Sequence, residues 1–157
     1  MTEGTTVTFA SFVRPWVAGL VGFLVGEYGA GALLGSLVRS GDREQALALS
    51  WLPWVAAPVL GALLATLAVR VVAGTRWWHW LVAVLPVPLG AVGVTAAVIV
   101  LTGAAATGFA LSVVAQLALA AGVGLGLGTL RRRAWRPPAP AEPPVSYVVD
   151  RPEDLPA

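Results

Sequence analysis

The chain has 157 residues, of which 57% are hydrophobic and 11% charged, and its formal net charge is +2. This composition lacks the polar surface that a soluble domain of such length needs, so it indicates an integral membrane protein. The basic residues flank apolar segments, so we expect a lipid bilayer as partner and no nucleic acid. Lys and Asn, whose codons are AT-rich, are absent, which indicates a GC-rich bacterial genome.

Four apolar segments are each long enough to cross a membrane, because about 20 helical residues span a hydrocarbon core about 30 Å thick. They cover residues 15–38, 51–73, 77–102 and 105–130. The sequence therefore predicts an all-α integral membrane protein, a four-transmembrane-helix bundle whose domain occupies residues 1–136.

Residues 137–157 have a different composition, with seven prolines and four acidic residues. Such a segment buries too little apolar surface to fold alone, so we expect a disordered Pro-rich C-terminal tail in the cytoplasm. Within it, residues 145–149 form a short β-prone stretch that either adds a strand to a partner or does nothing.

The arginines indicate the orientation of the bundle, because cytoplasmic flanks of membrane helices are enriched in basic residues. With four spans, both termini and the second loop share one side of the membrane. Eight of the ten basic residues fall on that side, and Arg39 and Arg43 fall on the other. We therefore expect a multi-pass protein of the bacterial cytoplasmic (plasma) membrane with both termini cytoplasmic.

Tryptophans lie near the ends of the predicted spans, as in the aromatic belts of membrane proteins. The residues expected at these interfaces are Trp16, Trp77, Trp78, Trp80 and Trp135 on the inner side, and Trp51 and Trp54 on the outer side.

Glu27 is the only acidic residue inside the four predicted spans, and it lies halfway along the first. A charged group at mid-membrane costs at least a few kcal/mol, so it usually faces protein or water and has a function. Glu27 is therefore the intramembrane functional candidate, and the neighbouring Tyr28 is expected to line the same site.

Glycines four residues apart allow two helix backbones to approach closely in lipid. The glycines predicted to pack helices are Gly22, Gly26, Gly31, Gly35, Gly122 and Gly126. They serve either contacts within one bundle or an interface with another chain. In the third span, Pro86 and Pro88 are expected to kink the helix, because each removes a backbone donor.

The side chains do not favour catalysis. There is no cysteine, and the single histidine, His79, sits among tryptophans at a predicted interface. We therefore expect no enzyme, no catalytic residues, no metal site and no cofactor.

Residues 29–39 resemble the Gly-Gly-x-x-Gly-Ala-x-x-Arg stretch of four-span fluoride channels. That family also uses an asparagine within the membrane, which this chain lacks. A first-span carboxylate among four spans is similar to small multidrug exporters, whose central third-span aromatics have no counterpart here. The sequence assigns the chain to neither family.

Two functions follow from these features. The first is a non-enzymatic accessory or scaffolding subunit of a larger bacterial membrane complex, which packs on other membrane-protein subunits or on itself through Gly-rich helix faces. The alternative is a small oligomeric proton- or cation-coupled transporter in which Glu27 exchanges a proton for a cation.

Overall fold

A computed structural model describes residues 10–72, 75–103 and 108–135 of the chain. The predicted tail at 137–157, with its β-prone stretch, lies outside these residues. Regular secondary structure in the described part is entirely helical. The six helices are α1 (Ala10–Arg39), α2 (Arg43–Ala48), α3 (Leu52–Ala68), α4 (Trp77–Val84), α5 (Pro86–Thr102) and α6 (Phe109–Ala134).

Three helical stretches are long and apolar enough to cross a membrane: α1, the α4–α5 pair over Trp77–Thr102, and α6. This supports the all-helical membrane class. The second predicted span, 51–73, is shorter in the structure, because α3 has 17 residues and ends at Ala68. At about 1.5 Å per residue, α3 is about 26 Å long.

The early end of α3 has local causes. The backbone turns extended at Val69, whose N–H donates back to the Thr66 carbonyl. The Val72 N–H then donates to the Thr75 hydroxyl at 2.9 Å, which stabilises a non-helical turn. The Arg131 guanidinium of α6 also donates to the Thr66 carbonyl. A cation at the last carbonyls of a helix stabilises its negative end.

At its own two ends α1 differs from the predicted span. It begins at Ala10, so Pro15 lies inside the helix, where it is buried. Beyond Arg39 the chain forms α2, a short helix that was not among the predicted elements. Its signal is Asp42, whose carboxylate accepts from the Gln45 N–H at 3.1 Å, as an N-cap residue does.

Close contact between α1 and α3 depends on glycine. A Cβ added at Gly22 would lie 2.5 Å from the Leu60 carbonyl oxygen, and one at Gly26 would lie 2.6 Å from that of Ala56. Both distances are shorter than any normal contact, so only glycine allows this backbone approach. A Cβ added at Gly61 on α3 would lie 3.1 Å from the Gly19 carbonyl oxygen of α1, a tight but less severe contact.

Two glycines of α6 receive side chains of α4. A Cβ at Gly128 would overlap the indole ring of Trp80, and one at Gly124 would lie 2.8 Å from a methyl group of Val84. The predicted pair, Gly122 and Gly126, has open space around it in the monomer. The reason is spacing: glycines two residues apart lie on different faces of a helix, and only one face meets α4.

The helix breaks at Leu85, between α4 and α5, where Pro86 and Pro88 each lack a backbone donor. Pro86 leaves the Val82 carbonyl without its usual intrahelical partner. The Trp16 indole N–H of α1 donates to that carbonyl at 2.8 Å. A helix kink inside the bundle is thereby hydrogen-bonded to its neighbour, as apolar surroundings require.

The tryptophans divide into two groups. Trp80 is 1% exposed and belongs to the core, and Trp16 is half-buried. The prediction of an interfacial belt is therefore wrong for Trp80, because Gly128 makes room for its ring. Of the other five, Trp51, Trp54, Trp77 and Trp78 are exposed, and Trp135 at the end of α6 is half-buried.

Candidate functional site: a cavity beside Glu27

Glu27 lines a cavity of about 300 Å³ between four helices. Three other polar side chains line it as well: Thr95 of α5, and Ser112 and Gln116 of α6. No sequence pattern connects these residues with Glu27. They lie 68 or more positions after it, and the rotation of α5 and α6 about their axes depends on packing.

The cavity lies towards one end of the bundle. Pro53 and Trp54, in the first turn of α3, and Phe109, the first residue of α6, are among its walls. Gly26, next to Glu27, faces Ala56 and Ala57, so Glu27 lies nearer the beginning of α3 than its middle. The partial positive charge of helix N-termini is a favourable surrounding for a carboxylate.

The hydroxyl groups of the cavity keep acceptor capacity. Thr95 donates to the Ala91 carbonyl at 2.9 Å, and Ser112 donates to that of Phe109 at 2.7 Å. Each donates within its own helix, so each oxygen still presents lone pairs. Glu27 is exposed and makes no hydrogen bond or ion pair with any described residue. The polar lining is thus rich in acceptors, and its only formal charge is negative.

Aromatic rings form much of the remaining wall, from Phe23, Trp54 and Phe109. Tyr28 is absent from this lining and is 74% exposed. Consecutive helical residues point about 100° apart, so the side chain next to Glu27 faces another direction. The structure therefore does not bring Tyr28 into the site.

An apolar groove of about 610 Å³ runs between α1 and α5 beside this cavity. Phe23, Ala91 and Thr95 line both spaces. At its other end the groove reaches Trp16 and Pro86, where the kink at Leu85 changes the course of the helix. The groove and the Glu27 cavity are therefore neighbours that share part of their walls.

Metal ligands are sparse. Across residues 10–72, 75–103 and 108–135, no three His, Asp or Glu side chains come together. Glu27 is accordingly a lone carboxylate among neutral polar groups and aromatic rings, which suits a single positive charge better than a multivalent ion.

Compared with protein-family models, with curated proteins and with solved structures, the chain matches none.

Proposed function

We propose that the chain is a small non-enzymatic carrier of the bacterial cytoplasmic membrane that binds a cation at Glu27 in exchange for a proton. The observation that carries this proposal is the shared cavity: the lone intramembrane carboxylate lies with Thr95, Ser112 and Gln116 from two other helices. A carboxyl group in an apolar bundle is costly, so its retention beside other polar groups favours a role in binding or proton relay.

The carrier is proposed to cross the membrane four times: α3 adds a shorter crossing to the three long apolar helices. The contact of Gly22 and Gly26 with α3 supports this, because it places α3 alongside α1 at the same depth. The bond from Arg131 to the end of α3 supports a common arginine-rich end. That end is proposed to be cytoplasmic, with both termini on that side.

An organic ammonium ion fits the cavity better than a bare metal ion. The ring faces of Phe, Tyr and Trp attract such cations, and Phe23, Trp54 and Phe109 supply three rings beside one carboxylate. The apolar groove between α1 and α5 offers a lateral path for a lipophilic cation from the bilayer.

The test uses the purified full chain in liposomes that contain a pH-sensitive dye. Addition of tetramethylammonium or tetraphenylphosphonium outside should release protons from liposomes with the native protein. Glu27→Gln keeps the size and hydrogen bonding of the side chain but not its charge, so it should abolish this release. The matched control is Glu44→Gln, the same change in the exposed helix α2.

A second variant, Gln116→Leu, should weaken the response without abolishing it, since it removes one polar group and keeps the carboxylate. The proposal fails if neither cation moves protons with the native chain, or if Glu27→Gln transports as well as Glu44→Gln. Equal thermal stability of the variants would show that the loss is not one of folding.

The accessory-subunit function is retained as a second candidate, because of glycines that do not pack in the monomer. Gly29, Gly31 and Gly126 have nothing within 4 Å of an added Cβ. Glycine faces of this kind suit contact with another helix. Under this proposal, Gly31→Leu should release the chain from a larger particle in mild detergent, whereas Glu27→Gln should leave the particle intact.

A further inference from the structure

A second cavity, of about 280 Å³, lies at the arginine-rich end of the bundle, far from Glu27. It is enclosed by the beginning of α1 and by the chain that follows α3. Arg14 and Arg70 line it from these two segments, together with Thr75 and His79. No acidic residue of the described chain lines it. About 13 residues of α1, or about 20 Å, separate Arg14 from Glu27.

The two arginines are not used in holding the fold. Both are exposed, and neither forms an ion pair or hydrogen bond with a residue that the structure describes. The negative end of α3, which reaches the cavity at Ala68, already has Arg131 as its cationic partner. Arg14 and Arg70 therefore present two guanidinium groups, ten N–H donors in all, to whatever enters the cavity.

His79 and Thr75 add donors from the buried side. His79 is 5% exposed, and its Nδ1 accepts from the Arg76 N–H at 2.9 Å. Nδ1 is thus occupied by the backbone of Arg76, and the tautomer that accepts from the Arg76 N–H carries its proton on Nε2, for which no hydrogen bond to a described residue is found. Thr75 is 3% exposed, and its oxygen accepts from the Val72 N–H, so its own proton is available to donate. The cavity thus offers donors and positive charge, with no carboxylate among the described residues that line it.

We propose that this cavity binds a phosphate group. Guanidinium groups match phosphate oxygens in geometry as well as charge, and imidazole and hydroxyl donors complete such sites. Two sources share this chemistry: the phosphodiester of an anionic lipid headgroup, and free phosphate from solution. Basic pockets at the ends of membrane helices are suited to lipid headgroups.

The test measures lipid binding to the purified full chain by native mass spectrometry from a neutral detergent. Dioleoylphosphatidylglycerol is compared with dioleoylphosphatidylcholine, and inorganic phosphate is added as competitor. Arg14→Gln and Arg70→Gln should each weaken binding of the anionic lipid about five- to tenfold, as expected for one charged hydrogen-bonding group that is partly exposed. Dioleoylphosphatidylcholine carries the same phosphodiester with a cationic choline next to the arginines, so it should bind more weakly and lose less binding on these substitutions.

Arg132→Gln and Arg133→Gln are the matched controls, because these arginines are exposed on α6 and lie outside the cavity. They should lower binding less than about twofold, since surface charge pairs contribute little. Arg70→Lys keeps the charge without the forked donor and should give an intermediate loss. If Arg70→Gln does not fold, the loss of lipid binding in Arg70→Lys still tests the role of the guanidinium group.

Displacement of the lipid by millimolar phosphate would assign the site to a soluble anion. Resistance to phosphate would assign it to the headgroup. The proposal is overturned if the anionic lipid binds no better than the zwitterionic one and inorganic phosphate does not bind either. It is also overturned if the cavity variants lose no more binding than the controls. Proton release at the Glu27 cavity is a separate readout, so failure of one proposal does not decide the other.

Discussion

At the scale of single residues, the hydrogen bond from Trp16 to Val82 explains how a proline is tolerated inside the bundle. Pro86 removes the donor that the Val82 carbonyl would have in a regular helix, and the Trp16 indole replaces it at 2.8 Å. An unpaired carbonyl in apolar surroundings would cost a few kcal/mol. Trp16 is therefore a structural residue, although its position near the end of the span resembles that of a membrane anchor.

Trp16→Phe should lower the free energy of unfolding by about 1–2 kcal/mol, because the ring is kept but the bond to the carbonyl is lost. Thermal unfolding in detergent measures this. In a Pro86→Ala background, where an N–H returns to the helix, the same substitution should cost clearly less. The control, Trp77→Phe, alters a tryptophan that is 62% exposed and should have little effect. Equal losses from Trp16→Phe in both backgrounds would contradict this account.

At the scale of helices, glycine positions decide which faces meet. Gly22 lies against the backbone of α3, and Gly128 lies against the rigid ring of Trp80. Gly31 and Gly126 are on the same two helices but have open space beside them. This contrast allows the effect of a methyl group at a contact to be separated from its effect on helix propensity.

Gly22→Ala and Gly128→Ala should each lower the free energy of unfolding by about 1–3 kcal/mol, the usual effect of overpacking. Gly31→Ala and Gly126→Ala should be neutral or slightly stabilising, since alanine favours helix more than glycine does. The measurement is the thermal midpoint of the monomer in detergent. A drop at Gly31 or Gly126 as large as at Gly22 would show that the helix faces are assigned incorrectly.

The helices themselves were predictable, because apolar length identifies membrane-spanning helices without knowledge of their neighbours. Three of the four predicted spans correspond to long apolar helices. The other, the second span at 51–73, ends early at Ala68. The extended backbone at Val69 and the turn closed by Thr75 end the helix locally, and Arg131, 65 residues away, adds a hydrogen bond that no local sequence pattern indicates.

The site was predictable only in part. Glu27 stands out in the sequence because a carboxylate is rare in an apolar helix. Its neighbours Thr95, Ser112 and Gln116 do not, because hydroxyl and amide groups are common in such helices and their facing direction depends on packing. Tyr28 was predicted to line the site only because it is next to Glu27 in the sequence. In the structure its side chain lies on another face of α1 and outside the cavity lining.

At the scale of the whole molecule, the charged side chains differ between the two ends of the bundle. Arg14, Arg70 and Arg131 gather at one end, through the second cavity and the contact with α3. The loop with α2 lies at the other end, where Asp42 and Glu44 accompany Arg39 and Arg43. By the positive-inside rule, the arginine-rich end is the one expected to face the cytoplasm.

The orientation can be measured directly, because the native chain has no cysteine. A membrane-impermeant maleimide should label Ser50→Cys in intact cells and Ala134→Cys only after lysis. This pattern is expected for four crossings with both termini inside. If α3 does not cross, both cysteines would be labelled in intact cells. Exclusive labelling of Ala134→Cys would reverse the orientation.

The bond between Arg131 and the Thr66 carbonyl has a consequence for the order of events during synthesis. The two residues are 65 positions apart, so at about 5–20 residues per second the end of α3 waits about 3–13 s for its partner. The ring of Trp80 likewise cannot pack against Gly128 until α6 has been synthesised. A nascent chain halted before α6 would hold an indole and a helix end without their final contacts. The helix α6, the last of the described helices in chain order, therefore completes these contacts of the interior.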